Sequence, residues 1–560
     1  MTTTKLRPHL HNLLLVSIFI TLSTSTIIWT LRDSTPPPWD PSDHLTYAYD
    51  YYRLLAHADF SGFARELFTT RHYYAPFVHL VSAGVFLILG ASKLTGIIVN
   101  LLSLAALLWA VAWTSRHVYT QRPATPESTN APVSPPVLLS VMPALIAACY
   151  HFSSWLMHDA FLDFPLTAAV AVSFALLIRA DDFRVRRHAL AFAVAAGIGL
   201  LVKQTFAFFF VLPGVYVAIR VLWTRDRRAI FNLALAGVVL ILVASIWYGP
   251  HLQDVIAIYH ENRQAAVNEN EAPLFTFDSN FFYVHALISM QMQIPLAVIF
   301  VIGLIYSLVR CRKQSMILYL WILSGITCFA LVANKDVRYT VPVLPGAALI
   351  SVCWLRGFIL RPGPVKIPVG VAGVLKAALV AGIAVWAFVS FFNAQWPKAG
   401  WGTAIDTPRY RWMVFARNYY GFDHRPLGDD WSVPQIVRMV TEAHTTSPPV
   451  LGVVVNLPYL NPSSVSLYAR LLAHDRAAPS MIDVRWVVEP SMIDRINECD
   501  YVLVRTGLDK ADWVASAERN VEQLIRDNPD RFIRAASFPI PLEAAEAVIY
   551  RHQKRAQADR

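Results

Sequence analysis

The sequence predicts an all-α polytopic membrane domain of about eleven transmembrane helices followed by a small α/β domain, and three observations lead there. Of the 560 residues, 55% are apolar and only 15% charged, against about 25% charge in an ordinary soluble domain. Mean hydropathy is +0.43, and the apolar residues gather in runs that approach the ~20 a bilayer core requires. The positive excess is also confined. Residues 393–560 hold 20 Lys+Arg and 20 Asp+Glu, so the net charge of +10 belongs to residues 1–392, where the apolar runs lie. Basic loops between spans orient membrane proteins, which is a simpler reading than nucleic-acid binding; no nucleic-acid partner is expected. The five cysteines, Cys149, Cys311, Cys328, Cys353 and Cys499, show neither paired nor metal-like spacing, so neither a disulfide framework nor a zinc site is indicated.

The first apolar run, residues 13–31, follows Lys5 and Arg7, is succeeded by Arg32 and Asp33, and lacks a small-residue cleavage pattern, so a retained anchor is expected. The next stretch, 76–89, decides the orientation of everything after it. Counted as a span, it would place the clusters around Arg184, Arg225 and Arg310 outside, against the positive-inside rule; read as a re-entrant or juxtamembrane element, it leaves them in the cytoplasm. The remaining spans are 94–113, 137–155, 164–178, 189–202, 206–223, 230–248, 294–309, 316–332, 341–355 and 369–392, with a Pro/Ser/Thr-rich cytoplasmic loop at 122–136. The N-terminus is then cytoplasmic. Residues 32–93, 151–163, the surroundings of Lys203, 249–293, 333–340 and the C-terminal domain, 393–560, face outward. In that domain short apolar runs at 450–455, 484–488 and 501–505 read as strands, and 463–473 and 513–526 as helices.

Chemistry is therefore sought on the outer face. A helix is expected to open near Pro41 with Asp40 as N-cap; on it Asp43, Tyr47 and Asp50 share a face by their spacing of four and three. Such acids either complement the helix dipole or supply a general base, with His44 or Tyr47 beside it. Asp163 stands directly before Phe164 and Pro165, where it serves as an N-cap or as a second site acid, with His158 and Asp159 available to pair with it, since acids against lipid are costly unless paired or used. Lys203 interrupts two apolar runs, and its default role is snorkelling to the headgroups. His260 and Arg263 in the long outer loop, and Arg338 with Tyr339 in a later turn, complete a set of cations and aromatics on the same side, where an arginine grips phosphate bidentately. There is no DxD, Walker loop, GxGxxG or HExxH, so neither metal-bound nucleotide-sugar chemistry nor ATP-driven transport is supported.

In the order of these features, from Trp39 to Tyr47, through Leu162-Asp163-Phe164 and Gly199 to Lys203, to Arg338-Tyr339 with Pro342 and Pro345, the chain resembles the GT-C superfamily of polytopic glycosyltransferases. The likeness is to bacterial relatives of the dolichyl-phosphate-mannose protein mannosyltransferases and of the lipid A aminoarabinose transferase. It departs at His44, where an acid is common, and at Ala75-Pro76, where Lys-Pro is common. The resemblance implies inverting transfer of a sugar from a polyprenyl-phosphate donor to an acceptor hydroxyl on protein, lipid or glycan. Asp43 and Asp163 would be the catalytic acids. Lys203, Arg338, Tyr339 and Arg263 would face the donor phosphate, supported by His44, Tyr47, His158, Asp159 and His260. No cofactor or metal ligand is implied. The rival reading is a transporter or lipid flippase, which would show two related halves with broken helices and mid-bilayer charges.

Overall fold

The computed structural model describes residues 3–70, 74–120, 137–268, 271–355, 369–398, 402–415, 424–442, 448–473, 481–507, 515–541 and 545–553. The expected loop 122–136 lies outside the described residues.

Apolar composition and the absence of backbone partners in lipid make helix the default for residues 1–392, and each of the eleven expected segments is helical. The helices are α1 (Thr3–Arg32), α2 (Trp39–Ala56), α3 (Phe60–Phe68), α4 (Phe77–Leu89), α5 (Lys93–Gly96), α6 (Ile98–Thr120), α7 (Val137–Cys149), α8 (His151–Leu156) and α9 (Asp163–Arg179). They continue as α10 (Arg186–Val202), α11 (Val211–Thr224), α12 (Arg227–Asn268), α13 (Phe277–His285), α14 (Ile294–Arg310), α15 (Arg312–Ala330), α16 (Leu344–Ser351) and α17 (Val369–Gln395). Among the described residues, five helical stretches are long and apolar enough to cross a bilayer, and six if the pair Phe277–Gln291 and Ile294–Arg310, bent by 118°, counts as one. That is fewer than eleven because several expected spans are broken: α7 gives way to α8 at Tyr150, and a 3-10 turn, Gln204–Phe209, precedes α11.

The ambiguous stretch at 76–89 becomes α4, 13 residues long. At 1.5 Å per residue it reaches about 20 Å, short of a ~30 Å hydrocarbon core. Its buried side packs on α2, while Leu87, Ile88 and Leu89 are exposed. Preceding it, α3 has no fully buried residue: Phe63 and Leu67 pack half-buried against α2, while Phe60 is exposed.

In the membrane domain, the long outer segment departs from expectation. The outer segment after residue 248 is not a loop: α12 continues through Gly249 and Pro250 to Asn268, 42 residues in all. About 63 Å long, it is twice the hydrocarbon thickness, so its C-terminal half stands clear of the apolar slab. Close approach fixes the packing elsewhere. A Cβ on Gly303 would lie 2.2 Å from the Ile350 carbonyl oxygen, so α14 and α16 meet backbone to backbone.

The C-terminal part holds a hairpin, β1 (Thr403–Asp406) with β2 (Arg411–Phe415), and a five-stranded mixed sheet of β3 (Val450–Val453), β4 (Asp483–Trp486), β5 (Tyr501–Thr506), β6 (Phe532–Pro539) and β7 (Glu546–His552), ordered β4-β3-β5-β7-β6. Strands β4, β3 and β5 run parallel, whereas β7 and β6 are antiparallel. Three helices cover the sheet: α18 (Val433–Glu442), α19 (Pro462–Leu471) and α20 (Ala515–Asp527). The expected strands match β3, β4 and β5 and the expected helices α19 and α20; the hairpin, α18, β6 and β7 were not foreseen. The boundary expected after 392 falls inside α17, whose Gln395 is buried and donates to the Ser154 carbonyl (2.9 Å). The hairpin docks on the bent pair, with Ser289 Oγ donating to Arg411 O (3.0 Å) and accepting from Met413 N–H (2.9 Å).

Candidate active site

Helix α2 starts at Trp39 with Pro38 in extended conformation before it, so Asp40 lies in the first turn and is not the N-cap. Its freed carboxylate accepts from Arg338 Nη1 at 3.0 Å. Arg338 stands in a 3-10 turn, Val337–Val343, whose N-cap is Asp336. The Asp336 carboxylate takes the Arg338 backbone N–H and Nε, both at 2.8 Å, and Nη2 as well. With the guanidinium plane 4.4 Å over the Phe161 ring, Arg338 is locked by two acids and an aromatic face, the fixed fork geometry that suits an oxyanion.

Lys203 occupies the break between α10 and the following 3-10 turn, in extended backbone conformation. Gly199 allows the break: a Cβ there would lie 2.2 Å from Phe206, so only glycine lets that ring fold back over the helix. Lys203 Nζ donates to Asp163 Oδ1 at 2.8 Å, both side chains being nearly fully buried, and lies 5.2 Å over the Tyr339 ring. Asp163 thus makes no side-chain cap; it holds a lysine whose ammonium has two more donors to offer. His158 and Asp159 do not pair with Asp163. The His158 ring stacks on Trp29 at 3.7 Å, and Asp159 is 4.0 Å from His158.

Two adjoining cavities use these residues. A smaller one of about 370 Å³ is largely apolar, walled by Phe208, Phe329, Leu331 and Val332 and by Val255, Ile258, Tyr259 and Asn262 of α12, which recur at helical spacing on one face. Lys203, Arg263 and Arg338 are its cations. A larger one of about 1090 Å³ is the more polar of the two and contains Asp43, Tyr47, Lys335 and Arg470. Asp40, Tyr74, Asn262, Asn334, Arg338 and Tyr339 line both, so Arg338 marks the junction. His260 lines neither; it sits on exposed α12 surface against Tyr259.

Asp43 lines the polar chamber beside Asp40. Burial, reinforced by the charge of Asp40 and only partly offset by Ser463 and Arg470, pushes its pKa up to about 7. Behind it, His44 is buried with its Nδ1 3.2 Å from His79 Nε2, and burial together with Lys203 and Arg338 holds it well below the usual histidine range, hence neutral. Lys335 caps the end of α15, donating to the carbonyls of Ala330 (2.9 Å) and Val332 (2.6 Å), and burial lowers its pKa to about 8.

The C-terminal part completes the chamber. Arg470 of α19 donates from Nε to both oxygens of Asp50 (3.0 and 3.1 Å), and Trp39 Nε1 donates to Asn456 Oδ1 (2.6 Å), so the helix bearing Asp43 is clamped from outside. Arg470, Trp486, Asp40, Asp336 and Lys335 were not selected from sequence. Asp336 and Lys335 adjoin Arg338 and carry a local signal; Arg470 and Trp486 lie over 400 residues from α2 and carry none. Among the described residues, no group of three or more His, Cys, Asp or Glu is placed to hold a metal ion.

A largely apolar chamber bearing three cations thus adjoins a second chamber that holds the Asp43 carboxylate. No protein-family model and no curated protein matches the sequence. Among solved structures, the chain is similar to ArnT from Cupriavidus metallidurans bound to undecaprenyl phosphate, with a TM-score of 0.56 and 15% identity over 96% of this chain and 97% of that one. The same protein in the apo state gives a TM-score of 0.55 at the same identity and coverage. The arabinofuranosyltransferase AftD from Mycobacteria gives 0.47 at 14% identity, over 95% of this chain and 40% of that one. The first two establish the architecture: the chain has the GT-C fold.

Proposed function

We propose that the chain is an integral membrane glycosyltransferase that moves a sugar, with inversion, from a polyprenyl-phosphate donor to an acceptor hydroxyl on the extracytoplasmic face. The observation that carries this reading is the junction at Arg338, where an apolar chamber with buried Lys203 meets a polar chamber holding Asp43. A polyprenyl chain fits the first, a sugar and its acceptor the second, and the phosphate the cations between them. That ArnT was crystallised with undecaprenyl phosphate supports the choice of lipid.

Asp43 takes the acceptor proton as the hydroxyl attacks the anomeric carbon from the face opposite the phosphate. Lys203 and Arg338 stabilise the charge gathering on the departing lipid phosphate, fixed in advance by Asp163 and Asp336. Asp163 is therefore assigned a positioning role. Tyr339 lies under Lys203, Arg263 stands at the rim, and Tyr47 lines the chamber of Asp43. In this reading residues 1–392 form the catalytic domain with about eleven crossings, several by broken helices, and residues 393–560 an extracytoplasmic domain, in a bacterial inner membrane with the N-terminus cytoplasmic.

The test is donor consumption by the purified protein with a panel of radiolabelled undecaprenyl-phosphate sugars. One donor is expected to be turned over, and Asp43→Asn to lower the rate by about a hundred- to ten-thousand-fold with unchanged folding. A variant retaining more than about a tenth of the wild-type rate would remove Asp43 from the role, because a positioned base contributes more than that.

A further inference from the structure

The outer wall of the polar chamber is built by the C-terminal sheet, and it takes no part in the chemistry assigned above. It consists of Arg470 and Ser466 on α19 and of Asp483, Val484 and Trp486 on the edge strand β4, facing Asp43 and Tyr47 across the chamber. The charge of the chamber is informative. Five carboxylates line it, Asp40, Asp43, Glu271, Asp336 and Asp483, against three cations, Lys335, Arg338 and Arg470. Arg338 is engaged by Asp40 and Asp336 and, in the reading above, by the donor phosphate; Arg470 is held by Asp50 and Lys335 by carbonyl oxygens, while Asp483 pairs with Arg485 beside the chamber (2.9 Å) and keeps its remaining lone pairs. A second anion such as a phosphate or an acidic polymer would meet net repulsion there, whereas neutral hydroxyls find carboxylate acceptors.

Two further features narrow the class. The Trp486 side chain is 38% exposed at the chamber wall; an indole face covers the C–H face of a pyranose or furanose ring as it covers other flat apolar surfaces. An extended peptide would bind an edge strand through outward backbone groups, but the Trp486 carbonyl already accepts from Arg495 Nη1 (3.2 Å).

The geometry points to an acceptor subsite on the C-terminal wall, formed by Trp486, Asp483 and Arg470, that takes a neutral saccharide and presents its hydroxyl to Asp43. This rests on the glycosyltransferase reading and names its acceptor. In the transfer step the saccharide oxygen bonds to the anomeric carbon as the bond from that carbon to the phosphate oxygen breaks. The hydroxyl proton passes to Asp43, and the electron pair leaves on the polyprenyl phosphate.

The experiment uses the full chain in lipid nanodiscs, so that no glycoside detergent competes, with the donor that wild type consumes and three acceptors: neutral oligosaccharides, a Ser/Thr peptide and a glycerophospholipid. Label is expected on the oligosaccharide. Trp486→Ala should raise the acceptor KM by about two- to tenfold, the order of one lost aromatic contact, with donor KM unchanged, while Trp486→Phe keeps most of the affinity and Asp483→Asn weakens it. Transfer to the peptide or the lipid in preference, an acceptor KM indifferent to Trp486→Ala, or a parallel change in donor KM would overturn the assignment. Should wild type consume no donor, the glycosyltransferase reading fails, and the subsite is still decided by saturation-transfer NMR with the same oligosaccharides. Saturation transfer that is lost in Trp486→Ala upholds it, and its absence in wild type overturns it.

Discussion

Asp43 and the Asp163–Lys203 pair show how much a single side chain owes to its surroundings. The Asp43 carboxyl rises from its ordinary value of 3.8 to about 7 because it is buried beside Asp40. The role proposed for Asp43 requires the ionised form, so transfer should fall about tenfold per pH unit below 7 and level off above it, as a pH profile of kcat/KM would register. Stability moves the other way. Between about 4 and 7 the folded chain holds a proton that the unfolded chain has lost, so this residue's contribution drains away as pH rises through that window. Asp43→Asn should remove both dependences. The pair at Asp163 and Lys203 behaves differently, since either partner alone is a buried uncompensated charge costing about 3–5 kcal/mol, whereas removing both is far milder. Asp163→Asn or Lys203→Met should each lower thermal stability sharply, and the double variant should regain most of the stability but not the activity. A double variant as unstable as the singles would mean that the pair is not coupled. Sequence exposed Lys203 because a charge between two apolar runs is conspicuous. It could not show that Asp163 is its partner, because 40 residues and the helices α9 and α10 separate them.

Among the elements, the helices of residues 1–392 were legible because lipid leaves the backbone few alternatives. The strands β6 and β7 were not, since Arg534, Ser537 and Glu546 interrupt their apolar pattern and antiparallel edge pairing tolerates that. Gly249 and Pro250 read as a helix stop, yet α12 runs through both, and this misreading hid the wall of the apolar chamber. Val255, Ile258, Tyr259 and Asn262 face that chamber only because the helix continues. Filling the groove with Val255→Trp should therefore raise the donor KM by about tenfold or more while kcat, set at Asp43, stays within about threefold. A loss confined to kcat would take α12 out of lipid binding.

At the scale of the whole molecule, function depends on two parts of the chain that share no local signal. Residues 1–392 carry the entire positive excess and supply Lys203, Arg338, Asp43 and the apolar groove; the charge-balanced remainder lines the chamber through Arg470 and clamps α2 through Asp50. The division into an apolar and a neutral polar region could be read from composition. Their meeting across Asp50 and Arg470, 420 residues apart, is a property of the fold alone.

The most direct measurement is a structure of the protein in nanodiscs with undecaprenyl phosphate. The account predicts the phosphate between Lys203 and Arg338, with the polyprenyl chain along Phe208, Val255 and Ile258. A headgroup bound elsewhere, or a tail outside that groove, would contradict it.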